Sequence, residues 1–267
     1  MTDDAKVKII KMYLKNVHGK KPDTSSSNQS HEGREGHWLE SQMKVKFNAD
    51  NAPDLLGYEM KNNTQSKTSF GDWSASYYIY KDEIFFPELT NKKGMAKFAE
   101  IRKTKTRFLK MFGRAVNGRF SWSGTPCPKR VTDGTNDFGQ ELIVTNDNSI
   151  IITYSFSKDK RKNKSKLIPK KFQKENLVIV KWDAAWIKEK VENKFNQKGW
   201  FKCLQDKSHV YTSIAFGSPI SIGKFLELVK TGAIMFDSGM ADGKSRLYSM
   251  WRANNPIWEK LIVSKHP

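Results

Sequence analysis

Residues 52–61, with the sequence APDLLGYEMK, set three charged side chains among apolar ones: Asp54, Glu59 and Lys61. In a strand, successive side chains point to opposite faces, so Glu59 and Lys61 share one face while their apolar neighbours share the other. Gly57 predicts a bend that brings Asp54 back beside the polar face. Two carboxylates and one amine are therefore expected to converge at one end of a bent strand pair.

This combination suits metal-assisted hydrolysis of a phosphodiester. Carboxylate oxygens hold Mg²⁺, which takes further contacts from water and from substrate phosphate. The ion polarises the phosphoryl group and lowers the pKa of a bound water, while a lysine stabilises developing charge. We predict Asp54 and Glu59 as metal ligands, Lys61 as the charge partner, and Glu40, on a preceding helix, as an auxiliary acid that reaches the metal through water. For the Glu-x-Lys pair alone, a solvated strand face without function is the alternative.

The same residues resemble a known signature. PD at 53–54 and EMK at 59–61 match the PD-(D/E)xK nucleases, and GREGHWLE at 33–40 resembles the GxxGxxLE helix of their MutH-like branch. The short gap between PD and EMK, with FDSGM at 236–240, is most similar to the MvaI/BcnI type II restriction endonucleases. The resemblance implies a Mg²⁺-dependent monomer that cuts double-stranded DNA at a short, GC-rich site and is paired with a cognate DNA methyltransferase.

Helical and strand patterns alternate along the chain, which predicts an α/β fold with a mixed sheet. An amphipathic helix is predicted at 5–17 with Val7, Ile10, Leu14 and Val17 inward, and a basic helix is predicted at 92–113. With the resemblance, the expected architecture is a restriction-endonuclease-like core and a second lobe that recognises DNA.

The charge is large and uneven. The chain has 47 Lys and Arg against 28 Asp and Glu, a net charge of +19, of which residues 1–100 carry +1 and residues 101–267 carry +18. Such a charge indicates a polyanionic partner. Nucleic acid is the favoured partner, and an anionic membrane surface is the alternative. The resemblance implies a catalytic lobe, expected at 1–110, and a DNA-recognition lobe, expected at 111–267, and the mainly basic second part of the chain agrees with this division.

Two segments supply candidate DNA contacts. Residues 236–258 concentrate the side-chain types that read base edges in the major groove, and the predicted readers are Asp237, Arg246, Arg252 and Asn254. The basic run at 158–174 predicts contacts to the phosphate backbone from Lys160, Arg161, Lys162 and Lys164. The alternatives are a polar loop facing phosphates or solvent for the first segment and a solvated loop for the second.

Other features narrow the function. The two cysteines, Cys127 and Cys203, lie far apart without metal-ligand spacing, which argues against a structural zinc site. No signal peptide or long apolar span is recognisable, so an intracellular, reduced location is expected. With the resemblance to restriction endonucleases, the expected location is the cytoplasm of a prokaryotic cell. The competing functions are a MutH-type mismatch-repair nicking endonuclease, a non-catalytic sequence-specific DNA-binding protein, and an RNA-binding module.

Overall fold

The computed structural model describes residues 4–25, 34–45, 50–62, 66–243 and 247–267. Within them the helices are α1 (Asp4–Asn16), α2 (Arg34–Gln42), α3 (Gly94–Phe112), α4 (Lys164–Leu167), α5 (Ala184–Phe195), α6 (Ile222–Lys230) and α7 (Asn255–Lys260). The strands are β1 (Glu59–Lys61), β2 (Lys67–Asp72), β3 (Tyr77–Tyr78), β4 (Arg114–Val116), β5 (Arg119–Trp122), β6 (Phe138–Val144), β7 (Ile150–Asp159), β8 (Leu177–Trp182), β9 (Trp200–Gln205), β10 (Tyr211–Gly217), β11 (Ile234–Ser238), β12 (Met240–Ala241), β13 (Ser249–Asn254) and β14 (Ile262–His266).

The chain forms two compact units, each built from separate segments. Unit 1 comprises Met1–Thr68, Glu189–Ile222 and Ala253–Pro267, and unit 2 comprises Ser69–Lys188 and Gly223–Arg252. These boundaries differ from the predicted division at residue 110, because β9, from the second half of the chain, pairs with β1. Unit 2 holds 29 Lys and Arg against 15 Asp and Glu, whereas unit 1 holds 18 against 13. Most of the basic excess therefore lies in unit 2, which carries +14 of the net charge.

Unit 1 contains a mixed four-stranded sheet in the order β1-β9-β10-β14. Strand β1 runs parallel to β9, with Glu59 opposite Trp200 and Lys61 opposite Lys202, while β10 is antiparallel to both β9 and β14. One sheet face forms an apolar core with α1 and α2, which includes Leu39. Burying a large apolar side chain contributes about 1.5–3 kcal/mol, so this core fixes the position of β1.

Helix α1 uses a different face from the predicted one. The structure buries Ile9, Tyr13 and Val17, whereas Leu14 remains 47% exposed. The predicted set of inward residues and the buried set both have helical spacing, and both contain Val17. The helical period alone therefore does not decide which set faces the core. The stripe through Tyr13 places an aromatic ring in the core, where it removes more surface from water.

Unit 2 contains an antiparallel sheet in the order β3-β8-β7-β6 and a small sheet in the order β12-β5-β4. A third sheet has the order β11-β13-β2. Two of the unit boundaries along the chain lie in its strands, one after Thr68 in β2 and one after Arg252 in β13. Helix α3 packs its C-terminal half into an aromatic core, in which Phe108 contacts Trp122 and Phe112 contacts Tyr154. The predicted basic helix is therefore present, and it ends at Gly113. No helix in the described ranges is long and apolar enough to cross a membrane.

Candidate active site

A two-residue turn brings Asp54 beside strand β1. Leu55 and Tyr58 exchange backbone hydrogen bonds of 3.0 and 2.9 Å, and the two residues between them, Leu56 and Gly57, have φ of 51° and 86°. Two successive positive φ values define a type I′ turn, in which Gly is favoured because it lacks a Cβ. The turn reverses the chain, and Asp54 Oδ2 accepts a hydrogen bond of 2.9 Å from the backbone N–H of Met60.

The two faces of β1 have different surroundings, as the alternation predicted. Met60 packs in the apolar core of unit 1, whereas Glu59 and Lys61 point away from it and are only 2% and 7% exposed. Lys61 Nζ donates to Glu59 Oε1 at 2.8 Å and lies 5.0 Å from the centre of the Phe195 ring. A buried ammonium is stable only with such partners, so Lys61 is held in one place.

Lys194 of α5 also contacts this site and was not predicted from the sequence. Its Nζ lies 3.1 Å from Glu59 Oε1, the same oxygen that Lys61 contacts. The other oxygen of Glu59, Oε2, is buried and has no hydrogen-bond partner among the described residues. One side of Glu59 is therefore neutralised by two lysines, while the other presents an unused acceptor.

The electrostatics of the site follow from its burial. Burial raises the pKa of Asp54 to about 6, with the charge of Glu59 adding to the effect, although the Met60 N–H and the two lysines act in the opposite direction. Burial also lowers the pKa of Lys61, against the stabilising effect of Glu59. Asp54 and Lys61 thus share a poorly solvated site, in which burial disfavours the charged form of each.

Glu40 lies at the end of β1, apart from the Asp54–Glu59 pair. Its Oε1 is 3.4 Å from the Asn62 side-chain nitrogen, and its Oε2 is 3.4 Å from His37 Nδ1. A Cβ at Gly36 would lie 2.6 Å from that Asn62 nitrogen, so a larger residue there would displace the Asn62 side chain. Within the described ranges no three His, Cys, Asp or Glu side chains form a group able to hold a metal. Asp54 and Glu59 come together without Glu40, and its auxiliary role remains a prediction.

The carboxylate pair fits a hard divalent cation. Asp54 and Glu59 offer the oxygen ligands that Mg²⁺ prefers, and Mg²⁺ usually needs only one or two carboxylates because it keeps several waters. The buried, unpartnered Oε2 of Glu59 is an acceptor of this kind. Lys61 and Lys194 contact the other oxygen, Oε1, at 2.8 and 3.1 Å.

The structure brings two of the four predicted base readers together. Arg252 Nη1 lies 3.1 Å from Asp237 Oδ2, and both side chains are 29% exposed. Asn254 ends β13, is exposed, and belongs to unit 1. Arg246 lies outside the described residues. Asp237 and Arg252 therefore form a partly exposed pair on unit 2.

The predicted backbone-contacting residues have different environments. Lys160 and Lys162 are exposed, with Lys160 paired to Asp137 at 2.8 Å. Lys164 Nζ donates to the Phe156 carbonyl at 2.8 Å.

Arg161, by contrast, makes contacts within the protein. Its guanidinium binds the buried Asp159 carboxylate, with Nη2–Oδ2 at 2.7 Å, and also donates to the Met111 carbonyl at 2.8 Å. Its side chain is 14% exposed. Arg161 thus differs from the prediction of a phosphate contact, because its donors are already used to satisfy buried acceptors.

Comparison with known proteins assigns the chain to the restriction endonucleases. The chain belongs to the LlaMI restriction endonuclease family, whose sequence profile matches residues 17–266. It is 41% identical over 275 residues to the type II restriction enzyme ScrFI of Lactococcus lactis subsp. cremoris, covering 98% of each chain. Its fold is similar to that of restriction endonuclease MvaI in complex with its cognate DNA substrate, with a TM-score of 0.63, 10% identity, and coverage of 100% of this chain and 99% of MvaI.

These similarities confirm the predicted fold class and enzyme class. The chain has a mixed α/β restriction-endonuclease-like fold, and it is a type II restriction endonuclease, a site-specific deoxyribonuclease. The alternatives of a repair nickase, a non-catalytic DNA-binding protein and an RNA-binding module are therefore set aside.

Proposed function

We propose that unit 1 is the catalytic lobe and hydrolyses phosphodiester bonds of double-stranded DNA with the help of Mg²⁺. The observation that carries this proposal is the convergence of Asp54, Glu59 and Lys61 at the end of β1, with Glu59 Oε2 buried and unpartnered among the described residues. Asp54 and Glu59 would hold the ion, which supplies Lewis acidity and a bound water of lowered pKa. The solved complex of MvaI with its cognate DNA substrate supports DNA as the ligand of this fold.

The protein groups have separate tasks in this proposal. The Met60 N–H orients the Asp54 carboxylate through a hydrogen bond of 2.9 Å. Lys61, fixed by Glu59 and by the Phe195 ring, stabilises the negative charge that develops on the scissile phosphate. Lys194 acts as a positioning residue, because it holds Glu59 through the oxygen that faces the lysines. Glu40 would act as the auxiliary acid.

Unit 2 is the proposed recognition lobe. Its net charge of +14 favours binding to the phosphate backbone, with Lys160, Lys162 and Lys164 as candidate contacts. Arg pairs with guanine and Asp with cytosine in the major groove, so Arg252 and Asp237 suit a GC-rich site. Asn254 and Arg246 remain candidate base readers. We further propose a monomer of the MutH-like branch that acts in the prokaryotic cytoplasm beside a cognate DNA methyltransferase.

Incubation of the purified protein with phage DNA tests the proposal directly. One sample contains Mg²⁺ and the other EDTA, and the fragment ends are sequenced. Discrete fragments that share a short motif and form only with Mg²⁺ would support metal-dependent cleavage and identify the site. Discrete fragments in EDTA would contradict the metal assignment and leave the enzyme class intact.

Replacing Lys194 by Met is expected to lower the cleavage rate about 10- to 100-fold, as loss of a group that orients a metal ligand typically does. Glu59 would lose one of the two cations that hold its Oε1. In this variant the single-turnover cleavage rate should fall, whereas the Kd for DNA measured in EDTA should stay at the wild-type value. Lys188→Met is the matched control, because Lys188 is exposed on the same helix. Equal loss of rate in both variants would argue against a specific role for Lys194.

Gly57→Ala is expected to reduce both stability and cleavage. Its φ of 86° is unfavourable for alanine by about 1–2 kcal/mol, and relief of this strain would move Asp54. Gly118→Ala is a matched control, because Gly118 has φ of 75° in the turn between β4 and β5, away from Asp54 along the chain. Urea unfolding should show a similar loss in both variants, whereas the cleavage rate should fall only for Gly57→Ala. A similar fall in rate for Gly118→Ala would contradict a local effect on Asp54.

A further inference from the structure

Unit 2 has an exposed apolar cluster that the catalytic proposal does not use. Ile84, Met95 and Phe98 are 84%, 82% and 63% exposed. An ion pair of 2.9 Å joins Lys97, which lies between Met95 and Phe98 in α3, to Glu83, the neighbour of Ile84. The three side chains therefore belong to one surface region, which we call the α3 tip.

The exposure of the α3 tip is not required by the packing of α3. The buried residues of this helix, Thr104, Phe108, Leu109, Met111 and Phe112, all lie in its C-terminal half. In the N-terminal half, Met95 and Phe98 are exposed and do not contribute to the buried core of unit 2. Large apolar side chains that cluster on a surface usually mark a binding site.

Positive charge surrounds the α3 tip. Lys92 and Lys93 precede the helix and Arg102 follows on its exposed side, and all three are exposed. Each is within about two turns of helix from Met95 or Phe98 in sequence. The surface thus combines an apolar centre with a basic rim.

The acidic residues near the tip already have partners within unit 2. Asp82 accepts hydrogen bonds from the Tyr77 hydroxyl at 2.9 Å and from the Ile84 backbone N–H at 2.8 Å. Glu83 pairs with Lys97, and Glu100 pairs with Lys103 at 3.1 Å. Two of these three carboxylates are thus paired with lysines, and the exposed cations Lys92, Lys93 and Arg102 give the tip an excess of positive charge.

We propose that the α3 tip inserts Met95 and Phe98 into the DNA duplex between adjacent base pairs, while Lys92, Lys93 and Arg102 contact the flanking phosphates. Apolar wedges on DNA-binding proteins unstack a base step in this way, and the cost is repaid by apolar contact and by phosphate binding. A second copy of the chain suits this surface less well, because two basic rims would repel each other. Insertion needs DNA as the substrate but does not depend on which residues hold the metal.

Base unstacking can be measured with 2-aminopurine, whose fluorescence rises when its stacking is lost. Duplexes carry the cleavage motif recovered from the fragment ends, with 2-aminopurine at each position in turn, and EDTA is present to prevent cleavage. The wild-type protein is expected to raise the fluorescence at one step. Met95→Ser with Phe98→Ser should remove most of this rise and weaken binding about tenfold, since the apolar contact is lost.

Two further variants make the result specific. Val263→Ser is the matched control, because Val263 is an apolar residue of β14 that is 65% exposed, and it should keep the full rise. Phe98→Trp retains a large aromatic side chain and should also keep it. Since Met95 and Phe98 are exposed, the double variant should unfold at the wild-type temperature, which circular dichroism checks.

Two results would overturn the proposal. One is a wild-type protein that binds fully, as judged by fluorescence anisotropy, without a fluorescence rise at any position. The other is a double variant that keeps the rise but changes from dimer to monomer in light scattering, which would assign the α3 tip to contacts between copies of the chain.

Discussion

Asp54→Asn and Lys61→Met are each expected to lower the rate of DNA cleavage by at least about 100- to 1000-fold, the usual effect of removing a group that stabilises transition-state charge. Asn at position 54 can still accept the hydrogen bond from the Met60 N–H, so the change removes charge with little loss of shape. Met at position 61 keeps an apolar side chain of similar length but removes the amine that contacts Glu59 and lies 5.0 Å from the centre of the Phe195 ring. Single-turnover cleavage and DNA anisotropy in EDTA measure rate and binding separately.

Binding should be nearly unchanged in both variants, because the site contains as many amines as carboxyl groups and contributes little to the field of the protein. Asp23→Asn and Lys67→Met are matched controls at exposed positions of unit 1 and should cleave at the wild-type rate. Cleavage that persists in both active-site variants would refute the assignment of Asp54 and Lys61. Loss of DNA binding together with loss of the folded state would instead indicate that the buried charges serve stability.

The local part of the site could be predicted because its causes are local. Strand alternation places Glu59 and Lys61 on one face, and the glycine turn returns Asp54 within a few residues. Lys194 could not be predicted in the same way. It contacts Glu59 from α5, which is separated from β1 along the chain by the first segment of unit 2, Ser69–Lys188. No spacing in the sequence marks a contact between residues so far apart along the chain.

The unit boundaries show the same limit. Charge counted along the chain indicates a basic second part, yet the sheet of unit 1 combines β1 with three strands from that second part, β9, β10 and β14, of which β9 pairs directly with β1. Charge reports on composition, whereas the boundary depends on strand pairing between distant segments. The basic run is a further example, because the composition of 158–174 does not distinguish an exposed lysine from Arg161, which is mostly buried and paired with Asp159.

The second large effect is expected for Arg161→Ala, which should destabilise the protein by about 3–5 kcal/mol because it leaves the buried Asp159 without its cation. The Asp159 side chain is fully buried and accepts further from the Tyr154 hydroxyl at 3.0 Å. The Arg161 guanidinium also lies 5.0 Å from the centre of the Phe138 ring. Urea unfolding at neutral pH measures the loss. Lys160→Ala is the matched control, since its pair with Asp137 is exposed and is expected to contribute about 0–1 kcal/mol.

The pH dependence identifies the partner of Arg161. Burial acts to raise the pKa of Asp159, but the hydrogen bonds and charge of Arg161 outweigh it, and the pKa lies below its ordinary value. A lowered folded-state pKa adds stability above the unfolded value of about 3.9, and this is lost as the pH falls through the folded value. The difference between Arg161→Ala and the wild type should therefore narrow below about pH 4. An Arg161→Ala protein of wild-type stability and weakened DNA binding would restore the original prediction that Arg161 contacts phosphate.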